Sequence, residues 1–282
     1  MKLTRRRKCS DFTNPKPTCY TKDDLLAFSS DWNSEHPENK IKNAKSLTKQ
    51  NLWIELRKRH KTIHEDLWPK KTRKTKKTSK SFAPKVPSQW NKNPNSWLSD
   101  ADILRAMRRY EKKFTKFHFL EPAPIDFDTK DHHGRCAYSN LCNYSYSDLA
   151  KKYNSFAAIF NTDPHDKSGQ HWIAFFVNLK KGEISYFDSV ADPPPKEVKN
   201  LINRFAKEGQ SYLKNKTIKV NYNKTRHQLG NTECGVYCLA FVHHMLINGN
   251  FDSFTQERIP DEKIVKLRAY FFDDVTGVYD SI

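Results

Sequence analysis

Gln228-Leu229-Gly230-Asn231-Thr232-Glu233-Cys234-Gly235 leads from a polar loop into an apolar run, residues 234–246, that reads as a buried helix. A cysteine at the head of such a helix faces unpaired backbone N–H groups and the positive end of the helix dipole. Both favour thiolate over thiol. Gly235 leaves room for a close approach of substrate backbone. Gln228, six residues upstream, offers an amide donor that, with the backbone N–H of Cys234, suits a tetrahedral oxyanion. Taken alone, a free cysteine is more often a small buried residue, and Cys238, one turn on among Val236, Leu239 and Phe241, reads as that case.

Working outward, His171 stands before the apolar run Trp172-Ile173-Ala174-Phe175-Phe176-Val177, and Asp188 ends the next run after a Lys180-Lys181-Gly182 turn. A hairpin of these two strands brings the imidazole and the carboxylate together, so that Asp188 fixes the tautomer of His171 and raises its basicity. Singly, each is equally readable as a surface histidine and a turn aspartate. Jointly, Cys234, His171, Asp188 and Gln228 supply nucleophile, base, orienting carboxylate and oxyanion donor.

Around them the pattern mixes both periodicities. Residues 156–161, 172–179, 184–188 and 218–223 read as strands. Residues 99–117, 195–213, 234–246 and 261–272 read as helices, the first capped by Ser99. This is an α+β arrangement, with a mixed sheet flanked by helices. Residues 21–67 read as a small helical unit that starts at a Thr21/Asp24 capping box and buries little by itself. Residues 69–87 carry eight positive charges, no negative one and three prolines, which opposes compaction. The resulting division is a basic helical arm (1–68), a Lys/Pro-rich linker (69–95) and a catalytic domain (96–282).

The 282-residue chain has a net charge of +18, unevenly spread. Residues 1–95 hold 24 Lys/Arg against 9 Asp/Glu, whereas 96–282 hold 26 against 23. The basicity therefore belongs to the arm and linker, not to the chemistry. No apolar run is long enough to span a membrane, and the charged N-terminus lacks the apolar segment of a secretory signal. Six cysteines, spread widely, are too sparse for a disulfide scaffold, and a reducing compartment is expected.

His171-Trp172, Asp188 seventeen residues later, and Gln228-x5-Cys234-Gly235 resemble the pattern of the ubiquitin-like-protein-specific (SUMO) proteases, the clan that includes the adenovirus proteinase. Trp97-Leu98-Ser99-Asp100 is similar to that family's leading Trp-Leu-Asn-Asp motif. The segments Asn161-Thr162-Asp163, Gly169-Gln170-His171-Trp172, Arg226-His227-Gln228, Thr232-Glu233-Cys234-Gly235 and Arg258-Ile259-Pro260-Asp261-Glu262 resemble more closely the polyprotein-processing proteases of large cytoplasmic DNA viruses, of the African swine fever virus kind. Thr-Glu-Cys-Gly departs from the cellular Asp-Cys-Gly, so Glu233 points to the viral branch; Asp188 stays a carboxylate where some viral relatives have an amide.

The resemblance implies a papain-like, adenain-like core and a thiol endopeptidase that uses no cofactor and no metal. Trp97 and Trp172 would flank a narrow tunnel with Asp100 beside it, which implies Gly-Gly at the cut. Implied substrates are viral structural polyproteins matured in the virion, or a ubiquitin-like protein. The implied setting is the host cytoplasm and virion or, for a cellular enzyme, cytoplasm or nucleus. The implied state is a monomer. Two other readings compete with this one. Residues 1–87 interleave Trp with Lys/Arg and suit nucleic-acid binding. His132-His133-x2-Cys136-x5-Cys142 offers zinc ligands, but not at the spacing of a standard finger.

Overall fold

The strand–turn–strand expected around Lys180 forms the middle of a mixed sheet. In the computed structural model, which describes residues 8–9, 17–62, 64–71, 82–136, 140–214 and 216–273, β4 (Trp172–Asn178) pairs antiparallel with β5 (Glu183–Phe187) and with β3 (Ser155–Asn161). On the far side of β3 lie two short parallel partners, β1 (Phe117–Phe119) and β2 (Ala123–Pro124). On the far side of β5 lies β6 (Lys219–Tyr222), also parallel. The sheet order is β1-β3-β4-β5-β6, with β2 on β3.

Strands β3, β4 and β5 are buried on both faces, which is why they read as unbroken apolar runs and not as alternating ones. On one face Phe156, Phe175 and Tyr186 pack against Val198, Leu201, Ile202 and Phe205 of α6 (Lys196–Tyr212). On the other lies α7 (Cys234–Ile247), whose Phe241 stacks on Phe187 with ring centroids 4.9 Å apart. All nine residues from Cys234 to Val242 are buried, so this helix is apolar all round.

The described residues fall into two compact units, 1–86 with 271–282, and 87–270. This places a boundary inside the stretch read as linker and assigns residues 271–273 to the first unit. Trp90, also within that stretch, is 1% exposed. Most of the Lys-rich core of that stretch, residues 72–81, lies outside the described residues, as do residues 1–7 and Ile63.

The first unit has a core of its own, contrary to the expectation that two helices bury little. α1 (Lys22–Glu35) begins at the expected Thr21/Asp24 capping box. It packs on α2 (Lys49–His60) through Leu25, Phe28, Trp32, Leu52, Trp53 and Leu56, and Tyr20, Phe82 and Trp68, the first residue of the short α3 (Trp68–Lys71), close the cluster. Glu65, 2% exposed, holds its edges by accepting from Thr18 Oγ1 at 2.6 Å, Cys19 N at 3.0 Å and Trp53 Nε1 at 2.8 Å.

Three local expectations are corrected. The helix placed at 99–117 ends earlier, as α4 (Asp100–Lys113); Phe114 turns out of helical geometry, which frees Phe117 to pair with Ser155. The short α5 (Tyr146–Lys152), capped by Ser145, was missed, because one apolar face over two turns gives little periodicity. The last helix is broken into α9 (Asp261–Lys266) and α10 (Arg268–Phe271), following the four-residue α8 (Asp252–Thr255). The tight i→i+3 bond from Leu267 N to Ile264 O makes that break and turns Arg268 inward.

Cysteine usage also differs from expectation. Cys9–Cys19 and Cys136–Cys142 are disulfides, each closing a short loop, and only Cys234 and Cys238 are free. Cysteine density therefore failed as a guide, since local spacing brought each pair within reach. The second bridge also takes both sulfurs of the zinc reading, and no metal-holding cluster occurs among the described residues. No described helix is long and apolar enough to cross a membrane.

Candidate active site

The β4–β5 register pairs Ala174 with Phe187, so the residue ahead of β4 and the residue after β5 meet at one sheet edge. They are His171 and Asp188, with Nε2 2.7 Å from Oδ1. The same carboxylate oxygen accepts Val190 N at 2.9 Å. Asp188 is 2% exposed, and its backbone is clamped on both sides by Asn223, which accepts from Asp188 N at 2.9 Å and donates to Asp188 O at 2.7 Å. The parallel β5–β6 pairing explains the clamp, because it sets residues 188 and 223 side by side just past their strands. Asn223 was not singled out in the sequence.

His171 reaches Cys234 with its other side. Burial alone would push the imidazolium down, but hydrogen bonds to Asp188 and Cys234, together with their charge, outweigh it and raise His171 from 6.5 to about 10. With Nε2 held by Asp188, Nδ1 is the nitrogen left for the sulfur. Cys234 is the first residue of α7, where the backbone N–H groups have no partner within the helix. Cys238 is the inert residue expected: fully buried, its thiol 3.2 Å from Trp172 O and pushed well up by that burial.

Gln228 is 2% exposed and fixed at every polar atom. Its Oε1 accepts from Ser189 Oγ at 2.7 Å, its Nε2 donates to Gly230 O at 3.0 Å, and its backbone N donates to Ser189 O at 2.8 Å. These contacts fix which end of the amide is the donor, and Nε2 carries a second N–H. Ser189, the residue after Asp188, therefore ties that carboxylate's segment to the loop bearing Gln228. Asp261 secures the same loop, its Oδ2 accepting Leu229 N at 3.0 Å and Gly230 N at 3.1 Å. Neither role is legible in the sequence, although Asp261 lies in the 258–262 segment that carries part of the viral resemblance.

Gly235 has a different role from the one expected. It is buried, and a Cβ there would lie 3.1 Å from Leu98 Cβ and 3.3 Å from Trp172 Cδ1. The glycine lets α7 pack onto the Trp97–Leu98 segment and does not leave space for substrate. Trp172 Nε1 donates to Leu98 O at 2.9 Å, which joins the same two segments.

Trp97, Asp100 and Trp172 all line one cleft of about 750 Å³, whose opposite wall is Asp163 to Gly169. Trp97 is half-buried, Asp100 exposed and Trp172 6% exposed. That wall is shaped by Asn161, whose Oδ1 accepts Asp163 N at 2.9 Å and Gln170 N at 3.1 Å. Gly169 has φ +92°, and a Cβ on it would come within 2.7 Å of Asn161 Nδ2, so only glycine fits.

Glu233, one residue before Cys234, makes no side-chain cap on α7. It is 4% exposed and pairs bidentately with Arg268, Oε2 to Nε and Oε1 to Nη2, both at 2.9 Å. Arg268 itself is fully buried, and nothing in its sequence surroundings marked it.

Comparison with known proteins agrees with this geometry. Residues 145–280 match the C-terminal catalytic domain of the Ulp1 protease family. A protein of Acanthamoeba polyphaga mimivirus described as a thiol protease is 33% identical over 180 residues, a match covering 62% of this chain and 56% of that protein. A cysteine protease of African swine fever virus is 27% identical over 215 residues, 69% of this chain and 74% of its own. The crystal structure of the African swine fever virus protease shares the fold, with a TM-score of 0.67 at 22% identity over 95% of this chain and 96% of that one. Residues 145–280 are thus a Ulp1-like cysteine-protease domain by their match to that family's catalytic-domain model.

Proposed function

We propose that the protein is a thiol endopeptidase that cuts after Gly-Gly and matures structural polyproteins of a large DNA virus, in the host cytoplasm and the virion. The observation that supports the specificity is that Trp97 and Trp172 line one cleft, Trp172 following His171 directly in the chain. Indole faces on either side of an extended strand leave room for backbone but not for Cβ atoms. The viral setting rests on the mimivirus and African swine fever virus relatives and on Thr232-Glu233-Cys234-Gly235.

In this reading Cys234 Sγ attacks the carbonyl carbon after the second glycine, and its proton resides on His171. The tetrahedral oxyanion is held by Cys234 N–H and the second Gln228 Nε2–H. Collapse of the intermediate expels the amine, which takes the proton from His171. Water, deprotonated by His171, then hydrolyses the thioester and releases the Gly-Gly carboxylate. Asp188 orients His171 and balances its charge throughout.

Kinetics with Gly-Gly-X and Ala-Ala-X peptides provide the test. Gly-Gly-X is cleaved after the second glycine, Ala in the pair blocks cleavage, and Trp97→Ala relaxes that discrimination. Equal turnover of both peptides sinks the tunnel. Mass spectrometry of co-expressed candidate polyproteins, with wild type and Cys234→Ser, identifies the cuts. SUMO and ubiquitin precursors in the same assay distinguish a deconjugating enzyme.

A further inference from the structure

We propose that Arg268 is a positioning residue for the nucleophile: it sets the charge beside Cys234 and locks the nucleophile's turn to the wall that carries Trp97. The inference rests on the thiol-protease reading but not on Gly-Gly specificity.

Four contacts converge on this one guanidinium. Nε and Nη2 take the Glu233 carboxylate as a fork, each at 2.9 Å, and Nη2 also donates to Thr232 O at 3.3 Å. Nη1 donates to Ser96 O at 2.8 Å, the carbonyl immediately before Trp97. The guanidinium carbon stands 4.5 Å from the centroid of the Trp90 ring, a cation–π contact in a water-excluded site. The segment ahead of the nucleophile and the segment ahead of the cleft wall are thereby joined through one side chain.

The electrostatics give the contact a second consequence. A buried carboxylate next to the nucleophile opposes formation of the thiolate, and at this helix start Glu233 does not offset that by capping. Arg268 cancels the charge while fixing the carboxylate away from the α7 amides. Removing Arg268 leaves an uncompensated buried negative charge beside Cys234, whereas removing the Glu233 charge leaves a positive one. The two deletions therefore push the thiolate in opposite directions. A merely structural pair would make both deletions act alike, by loosening the same contact.

The readout is the pH dependence of iodoacetamide alkylation of Cys234, located by mass spectrometry, in full-length wild type, Arg268→Gln, Arg268→Lys and Glu233→Gln, with thermal midpoints measured in parallel. Alkylation needs no peptide, so a failed Gly-Gly assay and a failed positioning role are distinguishable. Arg268→Gln moves the acidic limb of the alkylation rate to higher pH. Glu233→Gln moves it to lower pH. Arg268→Lys, which keeps the charge but loses the fork, leaves the limb in place while peptide kcat falls about tenfold or more with little change in KM. Should Arg268→Gln fail to fold, the contrast between Glu233→Gln and Arg268→Lys decides. Limbs that shift in the same direction, or stay fixed while only the thermal midpoints drop, overturn the proposal.

Discussion

Asp261 holds the backbone of Leu229 from across the fold: its Oδ2 accepts Leu229 N at 3.0 Å and Gly230 N at 3.1 Å, while the Leu229 side chain is left 64% exposed. The loop bearing Gln228 is thus pinned by a carboxylate on the first residue of α9. Asp261→Ala removes two charge-assisted bonds and the partner 2.9 Å from the Tyr237 hydroxyl. Its cost is about 2 kcal/mol of stability. In the proposed mechanism Gln228 holds the oxyanion, so the kinetic loss is expected mainly in kcat, and steady-state kinetics beside a denaturant titration separate the two effects.

Cys234→Ser abolishes cleavage while leaving the far-UV spectrum and thermal midpoint near wild type; His171→Ala abolishes it too, with a lower midpoint below about pH 10 because the buried Asp188 loses its partner. Cys238→Ser keeps activity, since that sulfur touches only buried neighbours and Trp172 O. An active Cys234→Ser variant alongside an inactive Cys238→Ser would reassign the nucleophile.

The His171 value of about 10 gives a pH dependence with a definite sign. The folded value lies above the ordinary 6.5. The stabilisation from this ion cluster is therefore fully present below pH 6.5 and disappears as pH rises through about 10. Asp188→Asn removes the charged partner, so it narrows this window and lowers kcat by about 10²–10⁴. Thermal midpoints of wild type and variant between about pH 6 and pH 10 test this, and parallel curves would refute it.

Gly235→Ala places a methyl group 3.1 Å from Leu98 Cβ, 3.2 Å from Leu98 Cδ1 and 3.3 Å from Trp172 Cδ1. Leu98 and Trp172 are tied to each other by the Nε1–carbonyl bond, so neither yields easily. The variant loses about 1–3 kcal/mol. Peptide cleavage falls as well, because the displaced atoms belong to the cleft. Calorimetry and kinetics on one preparation suffice.

The sequence by itself determined which residues are candidates for the site. A thiol at the head of an apolar run, an imidazole and a carboxylate at the ends of two strands joined by a Gly182 turn, and an amide in a polar loop are local features. Strand and helix periodicity places such features without knowledge of the rest of the chain. For that reason Cys234, His171, Asp188 and Gln228 were legible as candidates, and the middle strands and the Thr21 cap as structure. What only the tertiary structure decided depends on residues far apart in the chain. Asn223 clamps Asp188 because β6 runs parallel beside β5. Asp261 pins the Gln228 loop, and Arg268, while holding Glu233, reaches Ser96 across 172 residues of chain. Gly235 looked like an opening for substrate until its neighbours were known, and the disulfides ran against the argument from cysteine density. Hydrogen bonds and close packing between segments leave no periodic signature, so a buried arginine or aspartate in a short helix looks like any solvated charge until the chain is folded around it.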